Sequence, residues 1–510
     1  MPPVLMIGLD AAEPELIERW MGDGTLPSLA GLRARGSYRR LASSAAWLAG
    51  SPWPTFYTGT SPATHGLYHF LQWRAEQRDL ARPGPGWLPL QPFWRALGPD
   101  GPRALVVDAP SSYPPAPFPG VEISGWATHD HLHPPASHPP DAIATIRAAY
   151  GSSLVSQEAL GLQAPQTLRA LGEELRHAVR CVGAAMRGLM ASERWDLGLV
   201  SFAATHRGGH KLWDASGMRG PRTPDDDAWT FGALRELYRA CDAAVGDLAA
   251  AAGEDARLLV FSLHGMGTNT ARHELLPALL EAVLTGRAPA AADSRAWLQP
   301  LRQRLPVEWR QDLKRRLPQA WQDRLTRFWR PRQGGLAGRP AFALLSDQHG
   351  YVRVDLQGRE RGGRVAPGAE RERLLERIAD GLMTFRDADS GAPLVAATAR
   401  SEAVFPAGPR RDLLPDLLVR WNGVPSAGHR AVVSARFGTI AWPTPGRNPD
   451  GRSGNHRGSG FLIAAGGGLP AAADTAAADI RDLAPTVCRL LEVPPPWPME
   501  GMALADLAGA

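Results

Sequence analysis

The chain has 510 residues, 56 of them basic and 51 acidic, a net charge of +5, and 44% hydrophobic residues. That composition supports a sizeable core and excludes a wholly disordered or fibrous chain. No apolar run approaches the roughly 18 residues a membrane span needs.

Length predicts two to four domains, or one large α/β domain with insertions. Cys181, Cys241 and Cys488 are the three cysteines. An odd, scattered set argues against a disulfide framework or a cysteine zinc cluster and points to a reducing compartment, the cytoplasm. The N-terminus enters Val4-Leu5-Met6-Ile7 with no signal-peptide pattern. Lysine occurs only at Lys211 and Lys314, so Schiff-base chemistry has few candidates.

In chain order, Val4–Leu9 reads as a buried strand, and Glu13–Met21 and Leu26–Arg35 as helices, the second closed by Gly36 as its C-cap. Ala104–Val107 is a second strand. Apolar residues at Leu168, Leu171, Leu175, Val179, Val182, Met186 and Leu189 predict a helix over Leu168–Met190. The strands Leu197–Phe202 and Leu258–Ser262 flank a helix at Phe231–Ala252. Arg371–Phe385 is a further helix, and Leu417–Trp421 and Phe461–Ala465 are further strands. Strands alternating with long helices predict an α/β fold, a three-layer α/β/α sandwich around a mostly parallel central sheet, built from 1–288 and 341–510.

Residues 289–340 read as a small arginine-rich helical insertion. Its 295–332 stretch carries a net charge of about +8. Arg304-Leu305-Pro306 through Trp309 and Leu313 returns as Arg316-Leu317-Pro318 through Trp321 and Leu325. The spacing predicts short helices opened by proline. Two roles are open to them: a solvated face with tryptophans packed inward, or a cap facing an anionic ligand or a membrane surface.

Chemistry concentrates at strand ends, where open α/β sheets form their sites. Asp10 follows the first strand, His206 and His210 follow Leu197–Phe202, and His264 follows Leu258–Ser262. His456 lies in a glycine-rich loop before Phe461–Ala465. The i, i+4 spacing of His206 and His210 puts both imidazoles on one side of a helical turn, where they can share a metal. Alone, this spacing is a weak signal.

Ordered blocks strengthen it. Ile7-Gly-Leu-Asp10, Ser51-Pro-Trp-Pro-Thr-Phe-Tyr-Thr-Gly-Thr-Ser-Pro-Ala-Thr-His-Gly66, the His206…His210 block, Ser262-Leu-His-Gly-Met266 and Gly454-Asn-His456 together resemble the type I phosphodiesterase/nucleotide pyrophosphatase family of the alkaline phosphatase superfamily. Val352–Glu360 with Gly358-Arg359-Glu360, and the tail Asp482-Leu-Ala-Pro-Thr486 with Pro498-Met-Glu-Gly501, also resemble it. The resemblance implies an alkaline phosphatase-like fold and a hydrolase of phosphodiester or pyrophosphate bonds using divalent metal ions, zinc or manganese, one or two per chain. It implies one ion on Asp10, His264 and a hydroxyl nucleophile, and another on His206, His210 and His456. Two such ions clamp a phosphoryl group in transfer. The implied partner is a small-molecule phosphoester; no nucleic acid is expected, and oligomeric state is left open.

Three positions depart from the pattern. Leu263 stands where the family has an aspartate. His206 stands where it has another. Ala49 stands at the position of the nucleophilic hydroxyl, and Ser51, two residues on, is the nearest substitute. The nucleophile is therefore Ser51 or a metal-bound water. Asp416 is a candidate for the missing carboxylate, against a plain strand-start role. A catalytically altered, metal-binding member of the fold is the alternative function, and a phosphomutase or phosphotransferase ranks third. A sulfatase is disfavoured because no Cys/Ser-x-Pro-x-Arg run follows Ser51.

Weaker signals remain. Thr128–His133 with His138 is histidine-dense, but prolines mark it as a surface loop. His65 reads as structural. Trp73, Trp87 and Trp94 read as core, with pocket lining as the alternative. Gly466-Gly-Gly468 lacks the spacing of a nucleotide cradle.

Overall fold

Alternate residues of each central strand enter two different cores. Along β1 (Val4–Leu9), Leu5, Ile7 and Leu9 join one cluster while Val4 and Met6 join the other. The structure, a computed structural model, describes residues 2–507 apart from 114–116, 129–132, 152–153, 157, 159–160, 290–337, 443–447 and 449. The 295–332 stretch and its expected helices therefore lie outside the described residues, as do His129 and His131.

Further elements are α1 (Pro14–Gly22), α2 (Pro27–Ala34), β2 (Gly36–Ala42), α3 (Pro52–Thr58), β3 (Ala104–Val107), β4 (Gly120–Ser124) and β5 (Ala136–His138). After them come α4 (Pro165–Ser192), β6 (Leu197–Phe202), α5 (Ala204–Leu212), α6 (Pro224–Ala252), β7 (Arg257–Ser262) and β8 (Gly265–Thr268). The last third holds α7 (Leu276–Thr285), β9 (Ala341–Leu344), β10 (Gly350–Val354), α8 (Ala369–Met383), β11 (Val395–Arg400), β12 (Leu417–Trp421), β13 (Gly454–Arg457), β14 (Ser459–Ala465), β15 (Ala472–Asp474) and α9 (Leu483–Leu490).

The central sheet runs β15-β2-β14-β7-β1-β6-β3-β4-β5. Its middle is parallel: β1 pairs with β6 and β7, and β3 with β4 and β6. Among its described strands, only β14 and β5 enter antiparallel. One face is covered by α1, α2, α4 and α6, the other by α3 and α9 with Phe93 and Trp94. Two apolar faces need cover on both sides, which makes the three layers expected from the strand pattern. The long α6 is opened by a capping box between Thr223 and Asp226, with proline at its start.

Two expectations are corrected. Leu417–Trp421 is a strand, as expected, but it lies outside the central sheet. It pairs antiparallel with β10 and β11 in a separate sheet, β9-β10-β12-β11, which packs on α7 and α8 over a third core. A short apolar run carries no information about which sheet buries it. Nor is Gly36 a C-cap: it begins β2, and a Cβ there would lie 2.1 Å from the Ala464 carbonyl oxygen. The glycine permits the close approach of β2 to β14.

Asp416, at the start of β12, is fully committed as well. Its oxygens accept from Arg359, Arg371 and the Val354 amide. Glu360 is held by Arg353 and the Trp73 indole. Gly358-Arg359-Glu360 thus belongs to a buried ionic network that ties the smaller sheet to the 67–81 loop, and Asp416 supplies no carboxylate to the histidines.

Candidate metal centre

The parallel strands β7, β1 and β6 end side by side. Their carboxyl ends carry His264, Asp10 and the α5 histidines to one edge. Immediately after β6, α5 turns back over that edge, and Thr205 Oγ1 donates to the Asp10 carbonyl at 2.6 Å. Every residue of α5 is buried. A Cβ on Gly208 would lie 2.4 Å from Leu237, and one on Gly209 2.7 Å from Met266. The Gly-Gly between the histidines lets the helix wedge between α6 and β8. Opposite it, β13 pairs with β8 so that His456 faces Met266 in register.

His206, His210 and His456 converge. Their Nε2 atoms are 3.1 Å apart for His206 and His210, 3.0 Å for His206 and His456, and 3.2 Å for His210 and His456. His210 Nδ1 donates to the Gly454 carbonyl at 2.9 Å, since a carbonyl can only accept. His206 Nδ1 lies 2.7 Å from Asp10 Oδ2. Burial works against charge on Asp10, but the His206 imidazole and the Trp53 indole outweigh it and hold the carboxyl well below the usual range. Ionised, Asp10 accepts, so His206 Nδ1 also carries a proton. As neutral rings, both then present lone pairs from Nε2 toward each other and toward His456.

Lone pairs at this distance repel unless a cation lies between them. Imidazole–zinc bonds of about 2.0–2.1 Å place two nitrogens on one ion about 3–3.4 Å apart. These three residues form the group of metal-type donors found among the described residues, and they fit a divalent ion.

His264 is close by. Its ring stacks on His456 with centroids 4.7 Å apart and meets His206 edge-on at 5.8 Å. Burial lowers its pKa to about 4, against the raising effect of Asp10. Asp10 stands behind His206, on its Nδ1 side, and its other oxygen accepts the Trp53 indole N–H at 2.9 Å. Leu263 is 1% exposed and packs in the second core with Trp53 and Phe261.

Ser51 is fully buried at the start of α3. Its Oγ lies 2.7 Å from the Leu48 carbonyl and 2.8 Å from Ser44 Oγ. Ser44 meets Thr55 Oγ1 at 3.3 Å, and Thr55 meets His65 Nε2 at 3.0 Å. His65 Nδ1 accepts the Leu67 amide, so its proton is on Nε2. His65 donates to Thr55, while Ser51 Oγ is the donor toward both the Leu48 carbonyl and Ser44 Oγ, so its single proton serves these two acceptors. Among the described residues, no hydrogen bond joins Ser51 to the histidine cluster.

Sequence reasoning missed Trp53 as a partner of Asp10, although it lies inside the quoted 51–66 block. It also missed Thr205, one residue before His206, and Glu13. Glu13 is buried beneath β8 and accepts the Met266 amide at 2.9 Å. Burial raises its pKa to about 7, against the lowering effect of the Glu15 and Met266 amides. Elsewhere His138 Nε2 bonds the Phe118 carbonyl and His133 Nε2 meets Ser124 Oγ. Trp73 and Trp94 are core residues whose indoles donate to Glu360 and Glu122.

A mostly parallel α/β sheet with histidines and an aspartate gathered at its strand ends is a metal-type site at a sheet edge. The chain belongs to the type I phosphodiesterase/nucleotide pyrophosphatase family, whose model matches residues 4–407, and is thereby a phosphoric ester hydrolase of the alkaline phosphatase superfamily. Among solved structures, it is similar to murine ectonucleotide pyrophosphatase/phosphodiesterase 5, as an inactive variant in complex with AMP, at 11% identity, TM-score 0.51, covering 98% of this chain and 97% of that one. The same murine protein in another structure gives 12% identity, TM-score 0.50 and the same coverage. Phosphonoacetate hydrolase from Sinorhizobium meliloti 1021, with phosphonoformate, gives 13% identity, TM-score 0.48, and coverage of 91% and 89%. No curated protein sequence matches this one. No described helix is long and apolar enough to cross a membrane.

Proposed function

We propose that this chain is a metal-dependent hydrolase of small-molecule phosphodiesters or pyrophosphates, working in the cytoplasm, with zinc, or alternatively manganese, held by His206, His210 and His456. The observation that carries this reading is the triangle of Nε2 atoms at 3.0–3.2 Å, two of them fixed as lone-pair donors by Asp10 and Gly454. When bound, the ion supplies Lewis-acid polarisation of a phosphoryl oxygen. The chain's own part is orientation. Asp10 and the Gly454 carbonyl hold the rings, and α5 sets two of them on one face.

Ala49 offers no hydroxyl, and the Ser51 proton is taken up by the Leu48 carbonyl and Ser44 Oγ. In this reading solvent water attacks phosphorus as the P–O bond to the leaving alcohol or phosphate breaks, the water proton passing to the leaving oxygen, and Ser51 shapes the turn.

Elemental analysis of purified protein, paired with turnover of bis-(p-nitrophenyl) phosphate and p-nitrophenyl phosphate, tests it. Bound metal and turnover abolished by His206→Ala are expected. Neither ester being hydrolysed in the presence of zinc or manganese overturns it. A second reading, a metal-binding member without turnover, is favoured by Ala49 and Leu263; it would show bound ion and no hydrolysis.

A further inference from the structure

The two-ion arrangement that family membership implies does not fit this chain. We infer that the centre takes one metal ion, and that Asp10 is a positioning residue for His206 instead of a ligand to a second ion. The inference rests on the proposed three-histidine centre and deepens it.

A second ion would need donors around Asp10 and His264. The neighbouring positions offer none: Leu263 is buried in apolar packing and Ala49 has only a methyl group. Ser51 Oγ donates to the Leu48 carbonyl and sits in the Ser44–Thr55–His65 chain. Each Asp10 oxygen already accepts one hydrogen bond, from His206 Nδ1 and from Trp53 Nε1. Among the described residues, one imidazole and the spare lone pairs of one carboxylate fall short of the four donors zinc usually takes.

Charge leads to the same result. The three histidines are neutral ligands, and among the described residues Asp10 is the carboxylate hydrogen-bonded to one of them, His206. One dication beside one carboxylate leaves a single excess positive charge in a buried site. Two dications would leave three, and uncompensated buried charge is strongly disfavoured. A carboxylate hydrogen-bonded to the far nitrogen of a ligating imidazole fixes its tautomer and raises its basicity. His206, standing where the family has an aspartate, completes that arrangement with Asp10.

The test is metal stoichiometry of the zinc-loaded protein by elemental analysis and native mass spectrometry, with cobalt substitution as a spectroscopic readout. One ion per chain is expected. Asp10→Asn should weaken zinc affinity roughly 10- to 100-fold while leaving the positions of the cobalt d–d bands unchanged, because the three nitrogen ligands remain. His264→Ala should leave the count at one. Two ions in the wild-type protein overturn the inference while leaving the hydrolase reading intact. Displaced cobalt bands in Asp10→Asn overturn the positioning role. Absence of any bound ion overturns the three-histidine centre and this inference together. Should Asp10→Asn fail to fold, the wild-type stoichiometry still decides between one ion and two.

Discussion

The indole of Trp53 donates to Asp10 Oδ1 at 2.9 Å, while Asp10 Oδ2 receives His206 Nδ1 at 2.7 Å. One buried carboxylate thus joins the first turn of α3 to the first turn of α5. The packing of an apolar side chain and the tautomer of a metal-type histidine depend on the same group.

Trp53→Phe keeps the ring volume but removes the donor, leaving one buried Asp10 oxygen short of a partner. The expected cost is about 1–3 kcal/mol of stability, read as a lowered melting temperature. Zinc affinity should fall as His206 loses definition. An unchanged melting temperature would show that the indole bond carries no weight.

His206→Ala, His210→Ala and His456→Ala should each remove bound metal and reduce kcat/KM at least 100-fold, because any two remaining imidazoles make an incomplete site. Chelation of the wild-type protein should do the same, reversibly on adding zinc back. A variant that keeps full metal content would remove that residue from the ligand set.

Ser51→Ala should lower stability by about 0.5–1.5 kcal/mol through loss of one hydrogen bond, with kcat/KM changed only a few-fold. Ser44→Ala should behave alike, since it interrupts the same chain of hydroxyls. A loss of 1000-fold confined to Ser51→Ala would restore Ser51 as the nucleophile.

Acid should loosen the smaller sheet. Burial disfavours the charge on Asp416, but hydrogen bonds from Arg359 and the nearby guanidinium charges lower its pKa to about 2, from an ordinary 3.8. A carboxyl depressed in the folded state contributes stability that is complete above the unfolded value and is lost as pH falls through the folded one. The contribution is roughly 2–3 kcal/mol at neutral pH, disappearing between about pH 4 and 2. In Asp416→Asn, chemical denaturation should show the loss already at pH 7 and a flatter response over that acid range; a wild-type pH profile would refute the assignment.

Much of this protein was legible in its sequence. Apolar runs such as Val4–Leu9 and Leu197–Phe202 are buried on both faces, so their strands announce themselves without knowledge of their neighbours. The five residues that the fold brings together, Asp10, His206, His210, His264 and His456, were named from position after strands and from ordered blocks. Leu263 and Ala49 were visible as departures because the loss of a side-chain donor is a property of one residue.

Tertiary structure alone decided the rest. It assigned Leu417–Trp421 to a second sheet, because hydrophobicity drives burial without choosing the partner strand. It set Asp10 behind His206, tied Ser51 to Leu48, and spent Asp416 on arginines. Hydrogen bonds are short and directional, and these join residues from 3 to 196 positions apart; spacing along a chain does not encode which lone pair faces which proton.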